Sequence, residues 1–512
     1  MKNTRPIVLL LPMAIFIMAA VASLIDVQGF LAFAKSLNDW ILSHFGTVIY
    51  LAVFGFVLTC FAVLFSPLDK VKIGGHDAKP ILTRWQWFSI TLCTTIAIGI
   101  LFWAMAEPIY HLYQPGGRGI IAGSRDASRF SLVSLFMHWS LSPYAIYTVA
   151  GLAFALSFHN FDKPFSVSGP LSILLGRDLP KLVSSLLDAA ILLALVLGMA
   201  GSLGAGMLLL SGGVASLTPL TSGPFLLALV ACAIGLVVLI SSISGLLKGI
   251  RLLSSINTAF FFVFVAFIFA FGPTQKILLQ GGASLVDYVA SFIPRSLFVG
   301  EAAQDKDWAR SWTIFYYANW LAWAPVTAMF LGRIAVGYTV RAFVLVNLFL
   351  PALFSIVWMS VFGVFAMETD TANKGVLKQA LDTTGPESVT FKALAFMPYS
   401  QIIIPLLLIL SFVSYVTAAD SNTTAISEIC QETPSNSPKS VKLSKNLKII
   451  WIALLAFMAW VMVAFSGIDG VRMLSNVGGL PALFIVIGLQ LTLLRMAFSS
   501  KILRRLQNKQ LK

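Results

Sequence analysis

Thr94-Thr95-Ile96-Ala97-Ile98-Gly99-Ile100-Leu101-Phe102-Trp103-Ala104-Met105-Ala106-Glu107-Pro108 is an apolar stretch with a glycine inside it and an acid–proline step at its end. A run of about 20 apolar residues crosses ~30 Å of hydrocarbon. Such runs recur near 7–25, 48–65, 87–107, 132–156, 186–210, 224–243, 254–272, 312–331, 342–366, 401–426, 447–465 and 475–494. The quoted stretch belongs to the third of these roughly twelve spans. The eighth span is interrupted in turn, at Trp323-Ala324-Pro325. Counted from the third span, the last ten helices fall into two sets of five, each opened by an interrupted helix. Discontinuous helices at matching places in two inverted halves point to a midplane binding site in secondary transporters. Proline kinks also occur in ordinary membrane helices, so this pattern alone leaves both readings open.

Composition agrees with the membrane reading. The 512 residues are 58% hydrophobic and 11% charged, against roughly a quarter charged in soluble proteins. The net charge of +14 could suggest nucleic acid, but its distribution excludes that partner. With a cytoplasmic N-terminus, the cytoplasmic segments hold about 23 Lys/Arg against about 6 Asp/Glu, and the external segments about 12 of each. The excess is the positive-inside bias, which places both termini in the cytoplasm of a multi-pass protein of the bacterial inner membrane. Residues 1–86 then hold two spans and a cytoplasmic loop. Residues 87–272 hold spans 3–7, and 273–311 an external connection with an amphipathic surface helix around Leu285–Pro294. Residues 312–494 hold spans 8–12, and 495–512 form a short basic tail suited to anionic headgroups of membrane lipids. The apolar start continues past Ala20-Val21-Ala22 and reads as a retained span, not a cleaved signal. Cys60, Cys93, Cys232 and Cys430 show no paired spacing. The five histidines lack the His–His i, i+4 spacing of a zinc helix, so neither a metal nor a cofactor is expected.

Two aromatic clusters stand out. One is Met137-His138-Trp139-Ser140-Leu141-Ser142-Pro143-Tyr144-Ala145-Ile146-Tyr147; the other is Trp312-Thr313-Ile314-Phe315-Tyr316-Tyr317-Ala318-Asn319-Trp320-Leu321-Ala322-Trp323. Interfacial belts explain Trp85, Trp87, Trp308 and Trp312. They do not explain Trp139 and Trp320, each about eight residues, or ~12 Å, inside its helix. Converging ring faces would form a cage for a quaternary ammonium group, which such faces attract without a carboxylate partner. Pro143 removes a backbone hydrogen bond and lets its helix bend there. Ordinary core packing is the alternative.

Trp139-x-Leu141-x-Pro143-Tyr144-Ala145-x-Tyr147, preceded by His138, resembles the fourth-helix motif of the betaine/choline/carnitine transporter family. Trp312-Thr313-Ile314-Phe315-Tyr316-(x)3-Trp320-x-x-Trp323 resembles its eighth-helix motif. Gly99 through Glu107-Pro108, Gly198-x-Ala200-x-Ser202-Leu203-Gly204, Lys248-Gly249-Ile250-x-x-Leu253-Ser254, Gly332-Arg333-Ile334 and Thr417-Ala418-Ala419-Asp420-Ser421 follow in family order. The resemblance covers nearly the whole chain from the third span onward. It implies an all-α polytopic membrane protein of about 12 transmembrane helices with an inverted five-plus-five repeat (spans 3–7 and 8–12). It also implies a homotrimer working by alternating access. By the same resemblance, Trp139, Tyr144, Tyr147 and Trp320 form a trimethylammonium cage, with Gly99 beside it and Trp323, Phe315 and Trp312 along the substrate path.

Departures from the family pattern concern the pocket and the energy source. The third helix keeps one glycine of the usual three, and Tyr144 stands where many members have Trp. Sodium needs several oxygen ligands in the membrane, yet Leu195 and Met199 occupy the positions of the fifth-helix hydroxyls. At a second site Thr417 remains beside Ala418, with Ala97, Asp420 and Asn257 as further ion-site candidates. Sodium at one weakened site, a proton, or exchange all stay open, with strong sodium dependence disfavoured. Glu107 and Asp188 read as helix-end caps or partners of a cytoplasmic arginine, and His138 as a hydrogen-bonded core residue. Glu107 lies eight residues from Gly99, ~12 Å along the helix. That acid-poor pocket favours a betaine- or carnitine-like zwitterion over choline. No filter of repeated glycines or charged ring marks a channel, and no nucleophile–base or metal constellation marks an enzyme.

Overall fold

A computed structural model describes residues 5–95, 97–116, 119–244, 247–298, 300, 303–430 and 445–511. Within these, the side chains of 97–98, 241–254, 417–425, 427–428, 445–448 and 507–511 are not described. Helices are the only regular elements among the described residues, joined by short connections and one isolated bridge between Lys72 and Thr339. That outcome follows from the solvent: in hydrocarbon a helix satisfies every backbone group within its own segment.

The twelve spans follow from the helices in chain order. Pro6–Ile25, Val27–Leu64, Arg125–Phe161, Lys181–Leu217 and Val340–Ala372 are each long and apolar enough to cross. The third span is a bent pair, Arg84–Thr95 and Gly99–Tyr113, meeting at 56°. Pro224–Ile240, Ser255–Phe271 and Ser400–Val416 are shorter apolar runs within the sixth, seventh and tenth helices. The eighth span, Phe315–Ile334, is too rich in tyrosine and tryptophan to score as strongly apolar. Lys445–Phe498 supplies the last two spans, because its backbone leaves the helical region at Gly467 (φ 53°, ψ −134°). Residues eight apart in a continuous helix are ~12 Å apart. Here a Cβ on Gly470 would lie 2.2 Å from the Met462 carbonyl, so the chain doubles back tightly.

Three local expectations need correction. The fourth span breaks at Ser140 (φ −118°, ψ −118°), between Arg125–Trp139 and Leu141–Phe161, and not at Pro143. Pro143 falls in the first turn of the second piece, where an N–H would have no helical partner anyway. The eighth helix runs through Pro325 to Ile334, and its irregular turn lies upstream as a π turn at Arg310–Ile314. Single π turns inside helices are often found at functional sites. Where a short amphipathic surface segment is expected, the connection forms a 23-residue helix, Thr274–Ser296, itself long and apolar enough to cross.

Both ends of the described chain lie on one face. Arg5 donates to the Ile429 carbonyl and pairs with buried Asp188, which also accepts from the Val167 N–H. Arg505 lies over the Phe161 ring, 5.3 Å from its centroid. The expectation of an arginine partner therefore holds for Asp188.

Candidate functional site

Trp139 is the last residue of its half-helix, so the break at Ser140 releases the indole toward the bend of the third span. A Cβ on Gly99 would come within 2.7 Å of Trp139 Cη2. The position therefore demands glycine for the close approach, not for an unusual φ. From the eighth span, the Trp320 ring meets Trp139 at 5.8 Å, Tyr144 at 5.4 Å and Tyr147 at 5.3 Å between centroids. All four residues are buried. These are edge-to-face or tilted contacts, so Trp320 is the hub of the cluster.

A cavity of about 60 Å³ opens on one side of this hub. Trp139, Tyr147, Trp320, Trp323, Trp103 and Phe315 give it aromatic walls, and Gly99 gives it a floor of backbone. Thr94, Thr95, Ser202, Asn319 and Tyr415 add polar atoms, and among the described residues no charged side chain lines it. Tyr144 is not a lining residue; it backs Trp320, with its hydroxyl 3.3 Å from Ser355 Oγ. The rings touch one another at the hub, so a trimethylammonium group would have to sit against the cavity side of the cluster. Trp312 stands apart from this lining, stacked edge-on against His111 at 4.6 Å and Trp103 at 5.6 Å. On the face opposite the termini, a vestibule of about 1050 Å³ ends at Phe315. There Arg472 lies over Trp312 at 4.8 Å and Phe315 at 5.8 Å.

Glu107 is neither a helix-end cap nor the partner of a cytoplasmic arginine. It is fully buried and accepts from four side chains. Oε2 accepts from Trp139 Nε1–H at 2.9 Å and from the Tyr316 hydroxyl at 2.6 Å. Oε1 lies 2.6 Å from His138 Nδ1 and 3.2 Å from His111 Nε2. The outer nitrogens are also engaged: Trp308 Nε1–H donates to His111 Nδ1 at 3.3 Å, and Thr313 Oγ1 lies 2.9 Å from His138 Nε2. Indole N–H groups only donate, so His111 carries its proton on Nε2 and gives it to Glu107. His138 donates from Nδ1 to Glu107, and its Nε2 faces the Thr313 hydroxyl, which can donate or accept. Ligand atoms of Glu107, His111 and His138 lie within 4.8 Å of one another, a spacing that would also suit a metal ion. All four ring nitrogens are already spoken for, however, which favours the hydrogen-bonded reading. The ~12 Å measured along the helix misjudged this acid, because the Trp139 indole spans the gap: one end abuts Gly99 and the other bonds Glu107.

Of the ion-site candidates, Asn257 is the one whose side chain is described. Asn257 is buried, and its Nδ2 donates to Ser414 Oγ at 2.7 Å with Cys93 Sγ at 3.9 Å. Its Oδ1 accepts no hydrogen bond among the described residues. Leu195 and Met199 are buried and offer no oxygen ligand from their side chains. The side chains of Ala97, Thr417 and Asp420 fall outside the described residues.

A sequence model of the betaine/carnitine/choline family of transporters matches residues 7–501. Similar proteins include a probable glycine betaine transporter of Desulfitobacterium hafniense, 30% identical over 438 residues and 85% of each chain. An ectoine/hydroxyectoine transporter of Virgibacillus pantothenticus is 29% identical over 465 residues and 91% of each chain. A high-affinity choline transport protein of Escherichia coli is 27% identical over 462 residues, 88% of this chain and 65% of that one.

Proposed function

The chain belongs to the betaine/carnitine/choline family of transporters, and on that premise we propose that it moves quaternary-ammonium compounds across the bacterial inner membrane by alternating access. It is a multi-pass membrane transporter and not an enzyme. The observation that carries the proposal is the convergence of Trp139, Tyr144 and Tyr147 on Trp320 beside Gly99. Trp139, Tyr147 and Trp320 present faces to the cavity and hold the trimethylammonium head, each desolvated face contributing up to ~2 kcal/mol. Tyr144 braces Trp320 from behind, and Trp323 and Phe315 close the walls. The lining, uncharged among the described residues, suits a zwitterion of the betaine or carnitine type, whose own carboxylate cancels the ammonium charge.

The positive-inside bias places both termini in the cytoplasm, which makes the Phe315 vestibule external. The functional unit is a homotrimer in this reading. Leu195 and Met199 remove one hydroxyl pair, which favours a coupling mode with little sodium dependence. Uptake of labelled glycine betaine, carnitine and choline into proteoliposomes, with sodium, proton and counter-substrate gradients imposed separately, tests the whole reading. Trp320→Ala abolishes saturable uptake of the preferred substrate; unchanged uptake in a folded variant would sink the cage. A rate rising steeply with sodium would overturn the coupling assignment.

A further inference from the structure

We propose that His138, Glu107 and Thr313 form a proton-binding site that shares its carboxylate with the substrate cage, so that a proton on His138 and a cation in the cage oppose one another. The proposal rests on the cage reading and deepens it.

The polarity of the hydrogen bonds selects the site. A second proton on either histidine must go to its outer nitrogen, since the inner one already donates to Glu107. At His111 that nitrogen faces Trp308 Nε1–H, a group that only donates, so protonation would set two N–H groups against each other. At His138 it faces the Thr313 hydroxyl. A hydroxyl both donates and accepts, so rotating the Thr313 O–H lets its oxygen receive the new N–H without losing a bond. The proton arrives from water, the Nε2 lone pair takes it, and Glu107 keeps all four donors. Thr313 sits on the π turn before the eighth span, and that displaced backbone is what brings it to His138.

The groups around His138 leave its charge answered by Glu107. The third span contributes Glu107 and His111. The eighth contributes Tyr316, stacked on His138 at 4.7 Å, and the short helix Ala303–Ala309 before it contributes Trp308. From the turn at Gly467, Arg472 reaches as far as Trp312, and from Thr274–Ser296 the Arg295–Asp287 pair lies beyond Phe130. Glu107 thus faces His138 and His111 through Oε1, and Trp139 and Tyr316 through Oε2. With His138 neutral, an uncompensated carboxylate stands directly behind a cage ring. With His138 protonated, that negative charge is cancelled. Across roughly 8–10 Å at an effective dielectric near 20, a unit charge changes the affinity for a cation on the order of tenfold. A zwitterion feels less, because its carboxylate offsets part of the interaction.

The test uses the purified full-length transporter. Wild type binds choline about tenfold more weakly at pH 5.5 than at pH 8, betaine by a smaller factor, and choline addition releases protons into a weakly buffered dye solution. His138→Gln, which keeps a neutral donor toward Glu107, flattens the pH dependence and stops the proton release. Thr313→Val, which cannot turn an oxygen toward a protonated ring, moves the pH dependence to lower pH. Affinities that do not vary with pH, that strengthen on acidification, or that keep the wild-type pH profile in His138→Gln would each overturn the proposal. Acid–base titration of the ligand-free protein decides independently: His138→Gln takes up one proton fewer between pH 8 and 5, and equal uptake refutes the site. Failure of both ligands to bind at any pH would instead remove the cage, leaving that titration to judge the proton.

Discussion

Trp139→Phe and Trp320→Phe delete the same atoms from neighbouring rings, yet the structure requires unequal costs. Each change forfeits part of a buried bicycle, about 1–2 kcal/mol of burial. Trp320 Nε1 has no hydrogen-bond partner among the described residues, so nothing further is lost there. Trp139 Nε1 donates to Glu107 Oε2 at 2.9 Å inside a fully buried cluster. A hydrogen bond to a charged group is worth about 1.5–3 kcal/mol, so Trp139→Phe costs that much more. Thermal unfolding in detergent reads the gap as Trp139→Phe melting roughly 1.5–3 °C below Trp320→Phe. In a Glu107→Gln background the acceptor is neutral and worth only about 0.5–1.5 kcal/mol, so the gap narrows by half or more. Both variants keep a phenyl face toward the cavity, and their substrate affinities fall by less than about tenfold. Equal melting temperatures, or a gap undiminished by Glu107→Gln, would refute the assignment of Glu107 as the acid behind the cage.

Two further outcomes test the surroundings. Gly99→Ala pushes a methyl to within 2.7 Å of Trp139 Cη2; overpacking of this kind costs about 1–3 kcal/mol. The displaced indole should raise the KM for uptake by about tenfold or more, and an unaltered KM would show that the ring is not held against the third span. Glu387 sits in the short helix Pro386–Leu394 between the ninth and tenth spans, and burial raises its carboxyl above the usual value of 4.5. Its folded form therefore holds the proton more tightly than its unfolded form, and stability is lost as pH rises through that raised value. Glu387→Gln accordingly melts higher than wild type at pH 7.5, and the advantage disappears below about pH 4.5 in the same thermal assay; a gain at both pH values would contradict the burial argument.

The sequence made the spans and the aromatic cluster around Trp320 legible for one reason. A tryptophan eight residues inside an apolar run contradicts the belt pattern, and Trp139 and Trp320 both do so. Breaks were harder to place, because proline is a visible mark that helices absorb when it falls in a first turn, as at Pro143, or inside a long helix, as at Pro325. Ser140 carries no such mark. Its break is stabilised by tertiary contacts, its Oγ lying 2.9 Å from the Tyr288 hydroxyl of a helix almost 150 residues away in sequence. The Glu107 cluster was hidden by the same distance, since His138 and Tyr316 come from two other spans. One local sign was present: Glu107 and His111 stand four apart, on the same face of one helix.

The positions of the two breaks explain why the aromatic cavity and a buried charge meet at a single side chain. Non-helical backbone in hydrocarbon costs several kcal/mol per unsatisfied group, so it persists where side chains or a polar cavity receive it. The bend between Thr95 and Gly99 and the break at Ser140 both border Trp139: one clears space above the ring, the other ends the helix that carries it. Set free at a helix end, the indole spans two environments that no regular helix would connect. Its six-membered ring abuts the glycine at the substrate cavity, and its N–H reaches the carboxylate of Glu107. On the cage proposal, a cation on that ring would be held in part by the charge behind it, and whatever alters that charge would alter the hold.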